Sequence, residues 1–146
     1  MDKPTPVPYV CTIGYGPLAT TAPFVNVATY TYSPTPPSKA SFRPGDTITF
    51  RFQTSAGLAA PTVATLMTAY KAKNANPDNS PFAHHSGAID ILSTPTLTIG
   101  KLTGRWGVAA LFTVGSVDNS YFFFLPDPEI IVSPEEPSTA DVGINL

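Results

Sequence analysis

Two adjacent histidines, His84 and His85, are the residues whose type first suggests chemistry, because imidazole binds metal ions and acts as a general base. Adjacent side chains of an extended chain point in opposite directions, and a structural zinc site needs four ligands. The nearby Asp78 and Asp90 do not have the spacing of such a site. No Gly-x-Ser-x-Gly elbow is present. Ser86 follows His85 in the sequence, but adjacency in the chain does not give the geometry of a nucleophile and its base. The pattern therefore predicts two solvated loop histidines, with no metal site and no catalytic residue.

The carboxylates of Asp127 and Glu129 are a second candidate, because glycoside hydrolysis uses a pair of carboxyl groups. Two residues apart on a strand, they point to the same face. We favour a structural interpretation in which Pro128, which lacks an N–H, stands at the start or edge of the final strand. Asp127 then accepts backbone N–H groups there, and Glu129 lies on the face opposite Ile130. The cations that a partly buried Glu129 would need are Arg43, Arg51 and Arg105.

The lone cysteine, Cys11, excludes an internal disulfide and has no cationic neighbour in the sequence that would activate its thiol. We expect it to be a small buried apolar residue. The phrase Pro44-Gly45-Asp46 before an alternating strand also occurs in cupredoxins, whose copper site needs two histidines, a cysteine and usually a methionine. Cys11 lies far before the histidines, and no cysteine occurs in the C-terminal part. We therefore exclude copper and expect no cofactor.

Aromatic side chains offer a different kind of site, because a ring supplies apolar area and, in Tyr and Trp, a polar tip. The chain has six tyrosines and one tryptophan. The candidate contacts for a carbohydrate or another small ligand are Tyr30, Tyr32 and Trp106. The same residue types form the core and rim of a β-sandwich, and the sequence leaves both interpretations open.

Charged residues make up only 12% of the 146 residues, and Thr and Ser carry much of the polarity. The 17 prolines and 10 glycines favour turns over long helices. The net charge is −2, and the eight basic residues are scattered, with none after Arg105. This distribution excludes a nucleic-acid footprint, and no apolar run is long enough to span a membrane. The N-terminus lacks the apolar stretch of a secretory signal, so we expect a cytoplasmic protein.

The elements that must position these residues are predicted to be short strands. Residues 46–53 are the clearest, because Ile48, Phe50 and Phe52 alternate with polar side chains, as in a sheet with one buried face. The preceding residues 43–46 have Pro and Gly in the order that a type II turn requires. The other predicted strands are 7–13, 24–32, 62–71, 88–92, 96–99, 105–114, 121–125 and 129–132.

Eight or nine short strands separated by turn residues predict an all-β fold, an immunoglobulin-like or jelly-roll-like antiparallel β-sandwich. We expect one domain over residues 1–146, with a Pro-rich lead-in at 1–8 and an acidic tail at 133–146. The segment 121–125, Tyr-Phe-Phe-Phe-Leu, is apolar on both faces. It is therefore expected in the centre of the sandwich or at a surface that another subunit covers.

Residues 121–137 carry the one resemblance to a known family. An aromatic strand is followed by Asp127-Pro128-Glu129 and then by Glu136-Pro137. This sequence pattern resembles that of the DP-EP family, small bacterial proteins of uncharacterised function. A looser similarity, which adds the Gly-Asp turn at residues 45–46, extends to bacterial inclusion-body proteins of the AidA/PixA type. Pro126 stands where that second group usually has a Trp. The resemblance implies a β-sandwich and carries no catalytic residue with it.

The function that we expect is non-enzymatic binding or self-assembly, with a second copy of the chain as partner, because no catalytic constellation is present and unpaired strand edges invite pairing. The alternative is a module that binds a carbohydrate or small ligand through surface aromatics. The third hypothesis is an enzyme, and it requires that His84, His85 or a carboxylate pair line a pocket.

Overall fold

The computed structural model of this chain describes residues 5–22, 25–37, 41–55, 57–71, 79–115, 120–125 and 129–133. Within these ranges there is no helix, and the predicted all-β class is confirmed. The strands are β1 (Pro8–Tyr15), β2 (Thr29–Ser33), β3 (Ser41–Phe42), β4 (Thr47–Thr54), β5 (Pro61–Tyr70), β6 (Ala88–Asp90), β7 (Thr96–Thr98), β8 (Gly104–Gly115), β9 (Ser120–Leu125) and β10 (Glu129–Val132).

The strands form two sheets that pack as a sandwich. Sheet A has the order β2-β1-β4-β7, and sheet B has the order β3-β10-β8-β5-β6 with β9 also paired to β8. The long strand β8 has room for both β10 and β9 along one edge, because its first residues pair with β10 and its last residues pair with β9. The sheets are mixed and not wholly antiparallel as predicted, since β1 pairs with β4 in parallel and β3 pairs with β10 in parallel.

Alternate residues of both sheets point inward and form one core. Its centre is a group of aromatic rings from four different strands, two in each sheet: Tyr15, Phe52, Phe112 and Phe123. The Phe112 ring lies 4.9 Å from that of Phe52, 5.4 Å from that of Tyr15 and 5.4 Å from that of Phe123, measured between centroids. Such pairs contribute about 0.5–1.5 kcal/mol each beyond the apolar area that they bury. The aromatic residues therefore hold sheet A to sheet B.

The predicted turn at residues 43–46 connects the two sheets. The Asp46 N–H donates to the Arg43 carbonyl at 3.1 Å, and Gly45 has a φ of 95°, the conformation that position requires in a type II turn. The Asp46 carboxylate is buried, with its Oδ1 accepting from the Val7 N–H and its Oδ2 from the Arg43 N–H, both at 2.9 Å. One carboxylate therefore fixes both the turn and the chain that enters β1.

The strand boundaries correct the sequence-based prediction at the N-terminus. β1 begins at Pro8, and Val7 is held by its N–H bond to Asp46 and by accepting from the Thr47 N–H at 3.1 Å. Thus the end of the expected lead-in at residues 1–8 is tied to the sheet; residues 1–4 lie outside the described ranges. The short strand β3 was not predicted. Of the acidic tail expected at 133–146, only Ser133 is described.

The strand predicted at residues 62–71 is β5 (Pro61–Tyr70), although the Ala, Leu and Met residues in it would also permit a helix. The cause is non-local, because nine residues of β5 pair with β8 in one long antiparallel ladder. No described segment forms a helix long and apolar enough to cross a membrane.

Candidate functional sites

The outer face of sheet B carries a group of exposed apolar side chains, which we call the apolar face: Val63, Met67, Leu111, Phe122 and Phe124. Strand pairing makes the group contiguous. Leu111 of β8 lies opposite Phe124 of β9, and Thr113, the next outward residue of β8, lies opposite both Phe122 and Val63. Met67 completes the group from β5, opposite Ala109.

The apolar face follows from the side-chain alternation of β9. Phe123 and Leu125 point into the core, so Phe122 and Phe124 must point outward. Phe122 is 63% exposed and Phe124 is 37% exposed. At ordinary side-chain areas, the five residues expose roughly 400–500 Å² of apolar surface, the size at which such patches mark interaction sites. The expectation that this segment lies in the sandwich centre is confirmed for one of its faces only.

Charged side chains lie at the end of the apolar face, where β10 begins. The Glu129 carboxylate is 3.1 Å from the Lys71 ammonium and 3.8 Å from the Arg105 Nε. The prediction that Glu129 pairs with an arginine and lies opposite the buried Ile130 is confirmed. Lys71, the closer partner, was not among the predicted cations, because it comes near Glu129 only through the order β10-β8-β5 in sheet B. Asp127 and Pro128 lie outside the described residues, so their predicted role stays a prediction.

The two histidines lie in a loop before β6, where His84 is exposed and has a φ of 65°. Both line an open cavity of about 310 Å³ together with Ser80, Ser86 and Leu102. None of the described residues that line it is a carboxylate that could orient an imidazole. Nor does the described part of the chain hold a group of three metal-ligating side chains. The described lining of this cavity therefore does not assemble a catalytic triad or a metal centre.

The proposed aromatic platform does not form, because Trp106 is fully buried, with 0% of its surface exposed. It points inward from β8, its indole N–H donates to the Asn79 carbonyl at 3.3 Å, and its ring lies 4.8 Å from that of Tyr70. The assignment of Trp106 as a ligand contact was wrong: it falls on the inward side of the alternation of β8 and is a core residue. Tyr30 and Tyr32 are half-buried neighbours on the edge strand β2, with ring centroids 5.6 Å apart.

The buried Cys11 and the half-buried Tyr32 form a polar pair on adjacent strands. The prediction of a buried cysteine is confirmed. Burial raises the pKa of the Cys11 thiol to about 12, although its hydrogen bond with Tyr32 partly opposes that rise. Burial, and then the neighbouring thiol, also raise the pKa of Tyr32. A thiol that stays protonated at neutral pH is a poor nucleophile, so Cys11 is structural.

A second cavity, of about 290 Å³, opens where β2, β1 and β4 lie side by side at one end of sheet A. Its lining includes Thr12 and Gly14 from β1, Thr29 and Thr31 from β2, and Gln53 from β4. Sequence reasoning missed this cavity because its residues come from strands far apart in the chain. The signal that could have indicated it is a glycine, Gly14, within an otherwise regular strand.

A comparison of the sequence with models of known protein families found no match, and a comparison with curated proteins also found none. The resemblance of residues 121–137 to the DP-EP family therefore stays an expectation from the sequence.

Proposed function

We propose that this domain is a non-enzymatic self-association module in which the apolar face of one copy packs on the apolar face of a second copy. The observation that carries the proposal is the row of outward apolar side chains across β9, β8 and β5, with Phe122 at 63% exposure. A patch of this size is comparable to the largest that a folded domain usually exposes, and such patches are often binding surfaces.

A second copy is the occupant that fits this surface best. A standard protein–protein interface takes about 800 Å² from each partner. The apolar face, with the neighbouring side chains of Thr65, Ala69 and Ala109, supplies the central part of such a surface. The charged group of Lys71 and Glu129 lies at one end, so that two copies can cover the apolar part without burying those charges.

The assembly is expected to stop at two copies. The outer face of sheet A carries threonines and Arg51 in place of large apolar residues, so it does not offer a second surface of the same kind. An interface in which both copies use the same patch is closed by two-fold symmetry. The expected product is a dimer of the 15.4 kDa chain and not a filament.

Sedimentation equilibrium on the whole chain tests the proposal, at concentrations from about 1 to about 500 µM, which bracket weak and moderate affinities. We expect the mean mass to rise to a plateau at twice 15.4 kDa. Leu111→Ser and Phe122→Ser are expected to weaken the dimer by at least about tenfold, because each removes a central apolar contact.

Leu102→Ser is the matched control, because Leu102 is 44% exposed and Leu111 is 41% exposed, yet Leu102 lies outside the apolar face. It is expected to leave the dimer unchanged. Circular dichroism shows whether each variant is folded. A wild-type chain that stays monomeric throughout, or a loss of dimer in Leu102→Ser equal to that in Leu111→Ser, would defeat the proposal.

A further inference from the structure

The cavity on sheet A owes its depth to Gly14. In register, Gly14 lies between Thr29 of β2 and Gln53 of β4, so its missing side chain leaves a gap in a row of three residues. A Cβ placed on Gly14 would stand 3.1 Å from the Thr29 hydroxyl oxygen, which is too close for comfortable packing. Gly14 does not have a positive φ, so its backbone does not require glycine. What the glycine provides is therefore the open space beside it, between Thr29 and Gln53.

The groups around that space are neutral hydrogen-bonding groups. Thr12, Thr29, Thr31 and Ser55 present hydroxyls, and Gln53 presents an amide, all on or beside paired strands that fix their positions. Ser55 uses its hydroxyl to donate to the Gly16 carbonyl at 3.4 Å. The side chains of Gln53 and of the three threonines, Thr12, Thr29 and Thr31, make no hydrogen bond to any other described residue. Each hydroxyl and the amide can both donate to and accept from a ligand.

We propose that this cavity binds one ring of a neutral carbohydrate. None of the described lining residues is charged. Arg51 lies opposite Thr12 on the same face of sheet A but outside this lining, so the described lining itself offers hydrogen-bonding groups and no ion-pair partner. A sugar ring carries hydroxyls that also donate and accept, and its C–H groups suit the exposed apolar side chain of Val27 at the wall. The volume of about 290 Å³ lies at the lower end for ligand sites, as expected for a single ring.

The site is independent of the self-association proposed above, since its residues belong chiefly to sheet A and the apolar face belongs to sheet B. Binding of a sugar and formation of a dimer can therefore succeed or fail separately.

Amide chemical-shift titration of the whole chain is the experiment, with D-glucose, D-galactose, D-mannose, D-xylose and N-acetyl-D-glucosamine as neutral probes. D-glucuronate and D-glucosamine serve as charged comparisons. We expect saturable shifts with at least one neutral sugar, centred on Thr12, Gly14, Thr29 and Gln53. Thr29→Ala and Gln53→Ala are each expected to weaken binding by about threefold to tenfold, the effect of losing one hydrogen bond.

Thr98→Ala is the matched control, because Thr98 is exposed on the outer face of sheet A but does not line the cavity. It is expected to leave the affinity unchanged. Gly14→Ala fills the floor and is expected to weaken binding further, and the dispersion of the amide spectrum reports whether the variant is folded. Three outcomes would overturn the proposal: no saturable shift with any neutral sugar, binding of the charged probes alone, or affinities that Thr29→Ala and Gln53→Ala leave unchanged.

Discussion

At the scale of single residues, Asp46 and Asp90 show how burial decides what a carboxylate contributes. Each accepts two backbone N–H groups: Asp46 those of Val7 and Arg43, and Asp90 those of Leu92 and Ser93. Asp46 is 4% exposed, whereas the Asp90 side chain faces solvent. Water can replace the Asp90 carboxylate as an acceptor but reaches the donors around Asp46 much less easily.

Asp46→Ala is therefore expected to destabilise the domain by roughly 2–4 kcal/mol, because two buried N–H groups lose their acceptor. Urea unfolding followed by circular dichroism measures the change. Asp46→Asn, which keeps one acceptor oxygen, is expected to lose less. Asp90→Ala is the control, with a markedly smaller loss. Equal losses in Asp46→Ala and Asp90→Ala would contradict this account of burial.

The raised pKa values of Cys11 and Tyr32 predict that the domain loses stability at alkaline pH. Their pKa values are raised in the folded state, that of Cys11 from 9.0 to about 12, so the folded chain keeps protons that the unfolded chain releases. The contribution of Cys11 is therefore complete below pH 9 and is lost as the pH rises from about 9 towards 12, whereas that of Tyr32 begins to be lost only above pH 10. Thermal melts between about pH 7 and pH 11 are expected to show a midpoint that falls above pH 9.

In Cys11→Ala the midpoint is expected to fall less steeply between pH 9 and 10, because Tyr32 stays largely protonated in the unfolded chain over that range. This holds even if the variant is less stable at neutral pH. A folded wild-type thiol that reacts with a disulfide reagent at pH 8 as fast as a free thiol would show that Cys11 is not protected.

At the scale of elements, β8 organises the molecule, and its start depends on Gly104. This residue has a φ of 150°, and a Cβ on it would stand 2.4 Å from the Tyr70 ring. Tyr70 cannot turn away freely, because its ring packs on that of the buried Trp106 at 4.8 Å. By contrast, a Cβ on Gly107 would stand 3.1 Å from the flexible Lys71 side chain.

Gly104→Ala is accordingly expected to cost about 2–4 kcal/mol of unfolding free energy, through backbone strain and a displaced ring. Gly107→Ala is expected to change stability by less than about 1 kcal/mol, because the Lys71 chain can move. Urea denaturation of both variants tests the contrast. Similar stabilities for the two would mean that Tyr70 has room to shift and that the glycine is dispensable.

At the scale of the whole molecule, the two outer faces of the sandwich differ in chemistry. The outer side of sheet A carries Thr29, Thr31 and Thr49, and the outer side of sheet B carries Leu111 and Phe122. This asymmetry is why we propose association through one sheet and ligand binding on the other. It also means that each surface can be changed without disturbing the other.

The sequence by itself determined the local features. The alternation of Ile48 and Phe50 with threonines predicted β4, and Pro44-Gly45 predicted its turn, because period-two patterns and turn preferences depend on neighbouring residues only. The alternation at 129–132 likewise predicted β10 and the outward side of Glu129.

Only the tertiary structure decided which faces are covered and which residues meet. Alternation divides 121–125 into two sides, but the pairing of β9 with β8 decides that Phe123 enters the core and Phe122 stays exposed. The same non-local pairing buries Trp106 and places Gly14 between Thr29 and Gln53. These contacts join residues far apart in the chain, and their stability depends on how whole sheets pack. Local pattern cannot specify them, because the same alternating strand fits more than one neighbour.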